Sequence, residues 1–185
     1  KDHAVLLQSL LLAKGINSSS VLINALNSYR LGSVAAPGLF NHVITYVPEF
    51  NLFLDSTARF APFGMLPFND TDKDVLITTT GAVAHTPVMP ASQSQVHSHS
   101  RIHLNADGTG SGDTQFSATG QMAIGMRALM STLAPGSEAD FIRNSVEQGA
   151  IDGTVNKDDP SLLLDPYQAQ LHYTLANAGT FPGPA

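Results

Sequence analysis

The sequence contains no cysteine in its 185 residues. This absence excludes a disulfide bond within these residues, and it excludes a zinc site built from thiolate ligands. It also leaves the chain without a thiol nucleophile, whatever other catalytic groups it carries.

Basic residues are also scarce. Lys and Arg number 9 against 15 Asp and Glu, which gives a net charge of −6 and a pI near 5.5. The basic residues are scattered along the chain instead of clustered. Because there is no basic patch, we do not expect the chain to bind nucleic acid or an anionic membrane surface.

Long apolar runs are missing as well. The longest run, Ala4–Ala13, is interrupted by Gln8 and Ser9 and is too short to span a bilayer, so we expect no membrane insertion. Hydrophobic residues still make up 43% of the sequence. That fraction is enough for a sizeable core in one large or two small domains.

Residues 41–57 predict a β-hairpin. Two runs rich in β-branched and aromatic residues flank a break that contains Pro48 and Asn51, which is typical of a turn between antiparallel strands. If Val47 pairs with Leu52, this single pair fixes the register of the whole hairpin.

The predicted register brings a histidine and an aspartate together. His42 and Asp55 become diagonal neighbours on one face, with Cα atoms about 7–8 Å apart. A carboxylate beside an imidazole fixes its tautomer and raises its basicity, which suits an acid–base group. The alternative interpretation is an ordinary strand histidine and a turn aspartate at the end of a strand.

The rest of the first half predicts a helix, strands and a linker. The helix, Asp2–Lys14, is apolar around most of its circumference, so we expect it to be buried in the core. The further predictions are strands over Ser19–Leu26 and Asp74–Thr80 and a Pro-containing linker over residues 81–95.

The second half predicts a unit with the order β-β-α-α-β-β. Asp107-Gly108 is a strong turn signal between its first two strands. Two helices follow, over residues 121–133 and 137–148, and two strands come after them, over residues 151–156 and 169–175. Antiparallel strands combined with helices make this an α+β arrangement.

A histidine stripe lies at the start of this second unit. His97, His99, Arg101 and His103 share one face of a predicted strand because side chains alternate with period two. Imidazoles two residues apart can share a zinc or copper ion, but Arg101 places a positive charge among them. A solvated strand face is therefore the default interpretation, and we predict no metal site.

Several blocks of residues 1–90 follow one another in a distinctive order: Lys1-Asp2-His3-Ala4, Leu6-Leu7, Leu10-Leu11-Leu12-Ala13-Lys14-Gly15-Ile16, Phe40-Asn41-His42-Val43-Ile44, Leu54-Asp55-Ser56-Thr57 and Pro62-Phe63-Gly64-Met65-Leu66-Pro67. Together these blocks resemble the bacterial transglutaminase-like superfamily. The resemblance is to large periplasmic or envelope-associated proteins that pair such a domain with an N-terminal β domain of unknown function. Residues 91–185 resemble the C-terminal extension of the same proteins.

The resemblance implies a papain/transglutaminase-like core, in which a buried helix packs on an antiparallel sheet, and a Cys-His-Asp triad. His42 matches the base of the triad, and Asp55 matches the acid that orients it. In the family the cysteine begins the buried helix and attacks an amide carbonyl of a peptide or protein, forming a thioester that water or an amine resolves. No metal or organic cofactor is implied.

The family's cysteine position falls one residue before Lys1, outside this sequence. The resemblance therefore implies a fragment of a periplasmic or envelope cysteine protease or acyltransferase, inactive as written. The alternative is a non-catalytic binding or assembly module of the envelope that keeps the same fold. The residue that precedes Lys1 separates the two, since Cys indicates the enzyme and Ser, Ala or Gly the module.

Overall fold

The structure, a computed structural model, describes residues 1–26, 29–32, 36–146, 149–176 and 178. These residues form three helices and nine strands. None of these helices combines the length and apolar content that crossing a membrane requires. The helices are α1 (Asp2–Ala13), α2 (Gly120–Ser131) and α3 (Glu138–Ser145). The strands are β1 (Ser19–Ile23), β2 (His42–Val47), β3 (Leu52–Leu54), β4 (Asp74–Ile77), β5 (Ala82–His85), β6 (Val96–Leu104), β7 (Gly110–Ala118), β8 (Ala150–Lys157) and β9 (Tyr167–Leu175).

The chain divides into two compact units, Lys1–Gln93 and the residues from Ser94 onward. The sequence places this division between residues 90 and 91. Each unit contains one antiparallel sheet, with the strand order β3-β2-β1-β4-β5 in the first and β6-β7-β9-β8 in the second. The predicted α+β class is confirmed.

The hairpin predicted at residues 41–57 is confirmed in its register. Strand β2 pairs with β3 from Thr45↔Leu54 to Val47↔Leu52. A 3₁₀ turn joins the two strands. The ladder ends at Leu54, so Asp55 follows the strand instead of pairing within it.

The core of the first unit lies on one face of its sheet. The buried residues of this core are Val21 and Ile23 of β1, Ile44 of β2, Val75 and Ile77 of β4, and Phe53 and Leu66. Ile23 pairs with His42 across the β1–β2 ladder, so His42 belongs to the same face as this core. His42, the first residue of β2, therefore lies at the edge of this buried apolar core.

Helix α1 is less buried than the sequence predicts. Only Ala4 is buried, at 1% exposure. Helix α1 packs mainly against β1 and β2, and much of its apolar surface stays exposed because the helix is apolar all round. The prediction of a buried core helix is therefore wrong for this chain. The large apolar side chains that remain between 53% and 67% exposed are Val5, Leu6, Leu10 and Leu12.

The linker predicted over residues 81–95 is wrong in its first part. Ala82–His85 forms β5, which pairs with β4 from Asp74↔His85 to Ile77↔Ala82. Gly81 turns the chain back after β4 with a φ of 69°, a conformation that glycine adopts without steric cost. Strand β5 has a weak strand sequence, so pairing with β4 decides its structure more than intrinsic propensity does.

The second unit has the predicted order β-β-α-α-β-β. The turn at Asp107-Gly108 joins β6 to β7 as expected, with a φ of 85° at Gly108. Helix α3 ends at Ser145, before the predicted end at residue 148, and residues 147 and 148 lie outside the described residues. Apolar side chains of both helices pack on the sheet, as Met130 of α2 and Ile142 of α3 show.

Candidate active site

The structure brings together the two residues that the sequence predicts as a catalytic pair. His42 is the first residue of β2, and Asp55 directly follows β3. Nε2 of His42 lies 3.2 Å from Oδ2 of Asp55. The side chain of His42 is 22% exposed and that of Asp55 only 5%, so the imidazole is reachable while its partner is sheltered.

A tight turn holds the Asp55 carboxylate. Its Oδ1 accepts hydrogen bonds from the backbone N–H and the hydroxyl of Thr57, both at 2.8 Å, in the local geometry that aspartate favours in turns. Burial alone would raise the pKa of Asp55, but the hydrogen bonds from His42 and Thr57 lower it to about 2. Asp55 is therefore ionised at neutral pH.

The hydrogen bond to Asp55 fixes the tautomer of His42. An ionised carboxylate can only accept, so Nε2 of the ring donates and carries the proton of the neutral imidazole. Within the part of the chain that the structure describes, Nδ1 has no hydrogen-bond partner. The hydrogen bond to Asp55 raises the pKa of His42, and partial burial opposes that rise. Nδ1 is thus the atom that can take up a proton.

Helix α1 approaches His42 at its N-terminal end. Gln8 of α1 donates to the hydroxyl of Ser20 at 2.8 Å, so the middle of the helix packs on the sheet face that carries Ser20. The register places Ser20 and His42 on opposite faces, because Ser20 lies three residues before Ile23, the partner of His42. The backbone at Lys1, just before α1, nevertheless lies within electrostatic range of His42.

A third residue of the site, Asp70, is missed by the sequence predictions. It ends the 3₁₀ turn Phe68–Asp70 and is 1% exposed. One atom each of His42, Asp55 and Asp70 lies within 4.8 Å of the other two. No periodic pattern marks Asp70. The only available signal is its position shortly after Pro67, the last residue of the family-like blocks.

The environment of Asp70 favours its neutral form. Burial raises the pKa of Asp70 to about 7, and the charge of the Asp55 carboxylate adds to that rise. The positive charges of His42 and Lys73 oppose it. The ammonium of Lys73 donates to the carbonyl oxygen of Asn24 at 2.6 Å. Oδ2 of Asp70 is buried and accepts no hydrogen bond from the described residues.

A divalent cation could also neutralise two neighbouring carboxylates, since zinc accepts imidazole nitrogen and carboxylate oxygen. Here Nε2 of His42 and the Asp55 carboxylate are already joined by a hydrogen bond, and Asp55 also accepts from Thr57. A cation would have to break that arrangement. These hydrogen bonds therefore already engage the Nε2 atom and the carboxylate that a cation would need.

The histidines of β6 do not form a comparable cluster. His97, His99, Arg101 and His103 share one face of the strand, and every residue of β6 is exposed, as predicted for a solvated face. Among the described residues, these imidazoles do not come within 4.8 Å of further metal-ligating atoms as a group of three.

Comparison with known proteins yields no relative, since no family model, no curated protein and no solved structure matches the chain. The transglutaminase-like assignment is therefore a proposal. Its support is the set of sequence blocks and the geometry of His42 and Asp55.

Proposed function

We propose that this chain supplies the general base and the orienting acid of a cysteine-dependent acyl-transfer site, on a papain/transglutaminase-like core. The observation that carries the proposal is the hydrogen bond from Nε2 of His42 to the ionised Asp55 carboxylate. This bond directs the unprotonated Nδ1 away from the acid and makes it the acceptor for a thiol proton.

The proposed reaction begins when Nδ1 of His42 takes the proton of a thiol. The thiolate attacks an amide carbonyl of a peptide or protein, and the departing amine receives the proton from the imidazolium. Water or a second amine then resolves the thioester, which gives hydrolysis or transamidation. Asp55 stabilises the imidazolium throughout, and the N–H groups at the start of α1 would stabilise the oxyanion.

The thiol itself comes from outside these 185 residues, since the chain has no cysteine. By resemblance, it belongs to the residue directly before Lys1. A helix N-terminus and a neighbouring imidazolium both lower a thiol pKa, so that position suits an activated nucleophile. The same resemblance favours a location in the bacterial periplasm or cell envelope.

The second candidate is a non-catalytic binding or assembly module of the envelope. The exposed apolar side chains of α1 favour this candidate, because they offer a surface that a partner can cover. The two candidates differ in whether His42 activates a thiol at the tip of α1.

The test adds a short Gly/Ser leader followed by a single cysteine, so that the cysteine directly precedes Lys1. Because the chain has no other cysteine, any thiol alkylated by iodoacetamide is this one. We expect His42 to speed alkylation at pH 6 by about tenfold or more, since each pKa unit changes the thiolate fraction about tenfold below the pKa.

Two comparisons sharpen the result. The same protein with His42→Ala should show the ordinary rise of the alkylation rate with pH. A separate Ser137→Cys variant places the thiol at the start of α3, a helix terminus in the second unit, and should behave like a plain helix-terminal thiol. Equal alkylation rates with and without His42 would refute the role of His42 as a base. The non-catalytic binding module would then be the better candidate.

A further inference from the structure

We propose that Asp70 is a positioning residue that holds a proton against Asp55 and so fixes the carboxylate that orients His42. The proposal rests on the proposed function of the His42–Asp55 pair and adds a third member to it.

Hydrogen bonding within the cluster leads to this assignment. Oδ2 of Asp70 is buried and receives no hydrogen bond from the described residues. A buried, ionised oxygen without a donor is costly. A protonated carboxyl group is itself a donor. The Asp55 carboxylate beside it accepts from three donors, which are Nε2 of His42 and the N–H and hydroxyl of Thr57, and this leaves about one of its four lone-pair sites for a further donor. One proton shared between the two carboxyl groups therefore satisfies both.

The neighbours decide which carboxyl group keeps the proton. Asp55 receives hydrogen bonds from His42 and Thr57, and these favour its ionised form. The charged groups that act on Asp70 are Asp55, which favours the neutral acid, and His42 and Lys73, which oppose it. The proton therefore belongs to Asp70.

The arrangement forms a chain from Asp70 through Asp55 to Nε2 of His42. A neutral Asp70 restrains the Asp55 carboxylate without adding charge, so the ring keeps its Nε2–H tautomer and an unprotonated Nδ1. When Asp70 ionises, its negative charge raises the pKa of His42 and holds the imidazolium proton more tightly. Asp70 therefore links the basicity of His42 to pH near neutrality.

The experiment follows Asp70 and His42 by NMR in the chain as it is, without a nucleophile. The ¹³C signal of the Asp70 carboxyl group should titrate near pH 7. The ¹⁵N signals of the His42 ring should show the Nε2–H tautomer in the wild type and in Asp70→Asn, whose amide still donates to Asp55. Asp70→Ala removes the donor and should give a mixture of tautomers.

A matched control is Asp72→Asn, since Asp72 is an exposed carboxylate that contacts His85 instead of His42. It should shift the His85 signals and leave the His42 signals unchanged. If Asp70→Ala fails to fold, the titration of Asp70 in the wild type and the His42 tautomer in Asp70→Asn still test the proposal.

Three outcomes would overturn the proposal. The Asp70 carboxyl group could titrate near its ordinary pKa of 3.8. Asp70→Ala could keep the wild-type tautomer. Finally, equimolar zinc chloride could shift the His42 and Asp70 signals at pH 7, with the shift lost in Asp70→Asn, which would show a cation between the carboxylates. None of these readouts involves a thiol, so the two proposals can fail separately. If Asp70 is protonated but the alkylation test fails, the shared proton between Asp70 and Asp55 stands and the acyl-transfer function is refuted.

Discussion

Two histidines of the first unit each lie beside two aspartates, and they differ in how their ring nitrogens are used. His85 contacts Asp74 through Nδ1 and Asp72 through Nε2, both at 2.9 Å. His42 contacts Asp55 through Nε2 alone. A base must keep one nitrogen for its substrate, so the geometry of His42 suits proton transfer and that of His85 suits a fixed ion pair.

The two clusters also differ in burial. The side chain of His85 is 38% exposed and that of Asp72 is 63% exposed, so water and salt screen their charges. Asp55 and Asp70 are both sheltered, and there burial, together with the repulsion between the carboxylates, favours a proton on Asp70. Similar residue types therefore produce a screened surface pair in one place and a proton-holding pair in the other.

Replacing Asp70 by Asn should give the largest effect, because it removes the buried carboxyl group. With a pKa of about 7 in the folded state and 3.8 as its ordinary value, Asp70 keeps its proton on folding at pH values where the unfolded chain has lost it. The folded state then binds more protons, so stability falls as pH rises from about 4 to about 7. Three pKa units correspond to at most about 4 kcal/mol.

Urea unfolding at several pH values between 4 and 8 measures this effect. The free energy of unfolding of Asp70→Asn relative to wild type should increase across that window and then level off. Asp72→Asn should differ from wild type by only a small amount, because the pair that it breaks is exposed. Parallel curves for wild type and Asp70→Asn would mean that folding does not shift the pKa of Asp70.

Replacing Asp55 by Asn should move two other groups of the buried cluster in the same direction. The pKa of His42 should fall, because its main cause of elevation is the hydrogen bond to Asp55. The pKa of Asp70 should fall as well, because the neighbouring negative charge disappears. NMR titration of His42 and Asp70 in this variant checks both shifts. If the pKa of His42 did not change, Asp55 would not be the residue that raises it.

The position of His42 and Asp55 follows from the sequence because a short hairpin leaves little freedom. One pair, Val47 with Leu52, fixes the register, and the period of two then assigns each side chain to a face. Asp55 lies just beyond the last paired residue, but the Thr57 turn keeps its carboxylate directed at His42. Local rules are therefore sufficient for this half of the site.

The rest of the site depends on contacts between distant segments. Asp70 reaches the hairpin through a 3₁₀ turn that no period or turn signal connects to His42. The burial of α1 depends on which neighbours cover each side, and the helix sequence is apolar all round and does not specify them. Strand β5 forms on the edge of β4 although its own sequence favours no strand.

His85→Ala should give the smallest change in stability. Its salt dependence tests whether burial is what separates the His85 cluster from the His42 cluster. Hydrogen bonds to Asp72 and Asp74 raise the pKa of His85, so its stabilising contribution is present below the ordinary value of 6.5 and is lost as pH rises through the raised pKa. At pH 5 the substitution should lower the free energy of unfolding by no more than about 1 kcal/mol, and about 1 M salt should remove most of that loss.

The pH-dependent difference in stability between wild type and Asp70→Asn should persist in the same salt, because buried charges are screened much less. Urea unfolding at low and high salt measures both, and if salt abolished both effects alike, burial would not be what separates the two clusters.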